Sequence, residues 1–167
     1  MQSGLDRWIG HVERAVIWLA GAGAVVVLVQ MVWISYGVFT RYVLNAPDRM
    51  VTEATALLLF PVAFAGLAYA MREDAYPKVT MLTDTLPAGL RKAVAVFNLC
   101  VMLGVGLFFS LAGVSATIRS FNSGASSEIL LWPRYAFWAP GALALVLFSI
   151  YAVLRLVRLL RTPAAEV

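Results

Sequence analysis

Four stretches of this chain contain no Asp, Glu, Lys, Arg or His: residues 15–40, 54–71, 93–118 and 135–154. Charged residues make up 13% of the whole, where a soluble domain carries about 25%. That deficit excludes an ordinary water-facing surface. There is a single cysteine, Cys100, inside the third stretch, so neither an internal disulfide nor a cysteine metal cluster can form. There is a single histidine, His11; one imidazole cannot by itself supply a haem pair or a metal site, and it is given no role. A phosphate-cradling glycine loop and an acid–base pair within the apolar stretches are also lacking. An enzyme is not expected, and neither is a cofactor or metal site.

What is there is apolar: 62% of residues are hydrophobic. A helix rises about 1.5 Å per residue and the hydrocarbon core is about 30 Å thick, so roughly 20 residues cross it. The four uncharged stretches meet that requirement. The expectation is a single all-α membrane domain over residues 1–167, with four transmembrane helices and short amphipathic interfacial helices. The first apolar run is too long for a removable signal peptide and is expected to stay in place. The net charge of +4 follows topology rather than pointing to nucleic acid. Lys and Arg number nine over the two termini and the second loop, against four in the first and third loops. Basic residues accumulate on the cytoplasmic side, which predicts both termini there.

Residues 5–16 place Leu5, Trp8, Ile9, Val12 and Val16 at helical spacing among charged neighbours, predicting an amphipathic interfacial segment over about 1–14. Candidate helix-packing residues follow. Gly21 lies in a run of small residues and Gln30 near the middle of the first span; small residues let backbones approach, and a mid-membrane amide bonds across helices. Helix two is expected to begin near Pro47 with Asn45 as its cap and to kink at Pro61. Gly66 follows in a second small-residue run, and Gly106, Ser110 and Gly113 share a face of helix three. A short interfacial helix is expected around Val79 to Leu86. At the outer face the candidates for partner or lipid contact are Arg41, Arg49, Glu53, Arg119, Trp132 and Arg134. Trp132, Tyr135 and Trp138 read as interfacial belt residues, and the tail over 155–167 as a basic anchor toward lipid phosphates.

The spans lack the charged groups that mark proton relays and ion pathways, and no Gly/Pro-rich interruption aims half-helix ends at a solute. Small-residue faces without such groups suit a chain that holds other helices.

The residues Arg41-Tyr42-Val43-Leu44-Asn45-Ala46-Pro47, followed by Glu53, resemble the DctQ-type small membrane subunit of tripartite ATP-independent periplasmic (TRAP) transporters. So do Gly66-Leu67-Ala68-Tyr69-Ala70 at the end of helix two, the polar stretch Val79 to Pro87, and Trp132 to Pro140. Thr52 stands in place of the family's first acid and Met50 in place of its tryptophan. The resemblance implies a bacterial inner-membrane scaffold for a large membrane subunit, which imports an organic acid on a sodium gradient. It also implies a periplasmic substrate-binding protein and phospholipids as partners, and sodium coupling in the large subunit rather than here. Two rival readings stand beside it. One is a self-assembling channel or small exporter with Gln30, Asn98 and Ser110 lining a pore. The other is a membrane anchor for a redox enzyme.

Overall fold

The computed structural model describes residues 2–46, 48–76 and 86–163, with side chains from residue 7 onward. Among the described residues the elements are the helices α1 (Gln2–Tyr42), α2 (Arg49–Ala65), α3 (Leu67–Arg72), α4 (Ala88–Ser123) and α5 (Tyr135–Arg161). Four segments are long and apolar enough to cross a membrane: Arg7–Tyr42, Arg49–Arg72, Ala88–Ser123 and Tyr135–Arg161. α2 and α3 together make the second of these.

The N-terminal amphipathic segment does not stand apart from the first span. α1 continues unbroken for 41 residues, about 60 Å at the helical rise. Val16 is fully buried and Val12 packs against the same cluster, which holds Ala68, Met71, Leu99, Phe148, Tyr151 and Ala152. The apolar side of the segment is therefore partly occupied by the protein's own core. The interfacial helix expected before helix three falls largely on residues outside those described.

The start of the second span differs from expectation. Asp48, not Asn45, caps it: its Oδ1 accepts from the backbone N–H of Met50 at 2.8 Å. Asn45 instead takes a left-handed turn conformation, φ 51°, which asparagine tolerates better than most residues. α2 runs on through Pro61, and its interruption comes at Gly66. Gly66 keeps right-handed dihedrals, φ −85° and ψ −13°, so the second span does not unwind there. A glycine resists such a local departure least.

α5 is central. α4 packs against it on one side and α2 and α3 on another, while α1 lies along α2 and α3 and also contacts α5. α1 and α4 share no substantial contact, so the four spans do not close into a ring. Close approach is bought with small residues. On α4, Gly106, Ser110 and Gly113 are all buried. A side chain at Gly106 would begin 2.8 Å from the Phe148 ring and 2.9 Å from Ser149 Oγ; at Gly113 it would meet Ala142 at 3.3 Å. Ser110 and Ser149 join their hydroxyls across this seam at 3.1 Å, and Ser149 also donates to the Leu145 carbonyl. The α2–α5 contact repeats the device, with the Phe60 ring seated on Gly141. Between α1 and α2, Gly23 faces Ala65 and Gly37 faces Val51, and Gln30 Nε2 donates to the Thr55 carbonyl at 3.4 Å.

If the α4–α5 seam depends on this approach, Gly106→Leu should lower stability by about 1–3 kcal/mol, the usual cost of overpacking. Gly104→Leu should not, because nothing lies within 4 Å of that position. Thermal unfolding of the two variants in detergent, followed by circular dichroism, makes the comparison.

Candidate functional site: a carboxylate clamp on the α4–α5 loop

The loop between α4 and α5 is built from its own backbone first. α4 ends at Gly124 with φ 62°, the left-handed residue that commonly stops a helix. The chain then folds on itself. Ser126 and Pro133 form a short antiparallel bridge, Arg134 N–H donates to Ala125 O at 3.0 Å, and Ser127 N–H to Trp132 O at 2.8 Å. The buried Ser127 accepts the Trp132 N–H on its hydroxyl at 3.1 Å. At the tip, three successive N–H groups, from Glu128, Ile129 and Leu130, point at one carboxylate.

That carboxylate belongs to Glu53, in the second turn of α2. Its Oε1 accepts from Glu128 at 2.7 Å and Ile129 at 3.1 Å; its Oε2 accepts from Ile129 at 3.0 Å and Leu130 at 2.7 Å. Successive N–H groups in a turn form a concave anion site, and hydrogen bonds to an ionised acceptor are about twice as strong as neutral ones. Glu53 lies one residue before the uncharged stretch 54–71, within the second apolar segment.

Aromatic packing surrounds the clamp. Trp132 stacks on Phe137 with centroids 6.1 Å apart, and Phe121 meets Tyr135 edge-on at 5.3 Å. Trp138 lies against Phe60 at 4.6 Å, so this ring serves internal packing as well as any interfacial role. Leu131 has φ 54°, a conformation costly for a leucine, and it is 71% exposed beside the half-exposed Trp132.

Of the outer-face candidates, the structure brings Glu53, Trp132 and Arg134 together. Arg134 adds a long ion pair to Glu128 at 3.9 Å, which is worth little at such exposure. Arg41 and Arg49 line a separate groove between α1 and α2, and Arg41 sits 5.7 Å from the Tyr42 ring centre. Arg119 is exposed on α4. Among the packing candidates, Gly106, Ser110, Gly113 and Gln30 make the interhelical contacts described above. Pro61 lies half-buried within α2. Gly21 and Gly66 are exposed, with nothing within 4 Å of where a side chain would begin.

The other end of the bundle is tied differently. Arg155 turns inward, donating to the Met71 carbonyl at the end of α3 and pairing with Asp74. The expectation that it points to lipid phosphates is corrected here: the last carbonyls of α3 need a donor, and a cation suits a helix C-terminus. Lys92 does the same for α5, reaching Thr162 O at 2.7 Å. Tyr151 donates to Glu13 at 3.4 Å, linking α5 to α1. Residues 155–161 are the last turns of α5 rather than a separate tail.

The clamp predicts a pattern of amide protection: the N–H groups of residues 128–130, held by the Glu53 carboxylate, should be protected from hydrogen exchange at pH 7. Glu53→Gln should expose them at neutral pH while leaving α4 and α5 amides unchanged, as hydrogen-exchange mass spectrometry would read out.

The sequence model for the DctQ component of tripartite ATP-independent periplasmic transporters matches residues 30–162, from the middle of α1 through the end of α5. No curated protein and no solved structure matches the chain. The family is a transporter component that works with a large membrane subunit and a periplasmic binding subunit. With four apolar spans joined in the order described, and the family match running across nearly all of them, this chain is a multi-pass membrane protein belonging to the DctQ family, the small membrane component of TRAP transporters.

Proposed function

We propose that this chain is a non-conducting brace. It holds the static part of the large TRAP membrane subunit in the bacterial inner membrane, with both of its own termini cytoplasmic. The large subunit, fed by a periplasmic binding protein, moves an organic acid inward and carries the sodium coupling. The observation that carries the reading is the exposure of α1. Only 6% of its most apolar window is buried by the rest of the chain, against 33% for α5. Leu28, Met31 and Val32 are each more than half exposed along it, and Phe97, Phe108 and Leu111 are so on α4. Helices this oily and this uncovered suit contact with lipid or with another subunit. The open arrangement of the spans supports a wall rather than a conduit.

Gly21 gives a discriminating test. Its position is open within this chain, and small residues admit close helix neighbours. Gly21→Leu should leave the isolated chain at least as stable, since leucine favours a helix over glycine by roughly 0.5–1 kcal/mol. It should nevertheless weaken co-purification with the large subunit. In proteoliposomes, omitting this chain should abolish solute uptake by the large subunit and binding protein. Undiminished uptake without it, or reproducible flux through this chain alone, would overturn the proposal.

A further inference from the structure

We propose that the groove between α1 and α2 is a binding site for a single phospholipid, with its phosphate held by Arg41 and Arg49. The proposal is independent of any role in transport. The cavity measures about 660 Å³ and is formed by the end of α1 and the start of α2. Its rim carries Arg41, Asp48 and Arg49; its wall carries Ile34, Val38 and Leu59. Thr52 and Thr55 add hydroxyls to a lining that is otherwise apolar, with Ala56 and Val51 among it. The groove is therefore cationic at one end and mainly apolar beyond it, the polarity of a headgroup followed by an acyl chain.

The geometry keeps both guanidinium groups available. Among the described residues, the ion pairs use Arg72, Arg134 and Arg155, and neither Arg41 nor Arg49 is joined to a carboxylate. Asp48, the nearest anion in sequence, turns one carboxylate oxygen to the Met50 N–H. Two guanidinium groups with one carboxylate leave the rim net positive, and guanidinium presents donors in a fork that suits phosphate. The apolar wall also continues the uncharged part of both helices. Gly37 lets α2 approach so that Val51 rests against α1, and both residues line the groove. A free phosphate ion would satisfy the rim but leave the wall without an occupant. The lipid is the one ligand of this chemistry that uses both.

Native mass spectrometry of the full chain, released from nanodiscs of phosphatidylethanolamine and phosphatidylglycerol, tests the assignment. One lipid should remain bound after the annular lipids are stripped. The double variant Arg41→Ala/Arg49→Ala should lower its occupancy roughly tenfold or more, the scale expected for losing charge-assisted contacts. Arg119→Ala, on α4, should leave it unchanged. Ala56→Trp, which keeps both arginines and fills the groove, should also displace the lipid. Retention of the lipid by the double arginine variant overturns the proposal. So does loss of the lipid on adding millimolar inorganic phosphate together with full retention by Ala56→Trp, since that result describes an anion site without an acyl groove.

Discussion

Inside lipid, a helix gains almost nothing by turning one oily face toward another, because the surrounding tails are as apolar as leucine. Association must come from close packing and from the few polar groups that find partners. The fold obeys that constraint throughout. Phe148 lies over Gly106, Phe60 over Gly141 and Val51 over Gly37, each a large side chain set against a backbone stripped of its own. The seam between α4 and α5 adds a buried hydroxyl pair, Ser110 with Ser149. α2, α3 and α4 each pack on α5, so this seam sets the position of the α4–α5 loop as well.

Polar ties are concentrated where the helices end. At one end Glu53 gathers three backbone donors of the loop; at the other, Arg155 and Lys92 satisfy the open carbonyls of α3 and α5. These are the places where helix termini leave groups without intrahelical partners. Between them the surfaces of α1 and α4 remain apolar and uncovered. Most polar ties of the chain thus lie at its extremities, while its mid-span contacts are close packing with two hydrogen bonds, Gln30 to Thr55 and Ser110 with Ser149.

Much of this could be read in the sequence. The uncharged stretches mark the spans, since nothing but a charge interrupts such a run, and the shared face of Gly106, Ser110 and Gly113 follows from helical spacing alone. Glu53 stands out in the sequence as an acid at the membrane edge, but its partners do not. They are backbone N–H groups, which every residue but proline carries, and no residue type marks them. Arg155 belongs to a basic cluster that suggests a lipid anchor; its inward turn depends on the carbonyls of α3, far away in sequence. The capping acid at Asp48 was obscured by Asn45 and Pro47, which carry similar signals nearby. The helix continues through Pro61 and is interrupted at Gly66; a proline within a supported helix is tolerated.

The unbroken length of α1 has one more consequence. At about 60 Å it is roughly twice as long as the hydrocarbon is thick, and its buried residues, Val16 and Thr40, lie far apart along it. Between them Gly23 meets Ala65, Gln30 bonds to Thr55 and Gly37 meets Val51. A rod held at points so widely spaced cannot swivel about any one of them, so its angle to the other helices is set by the protein's own packing.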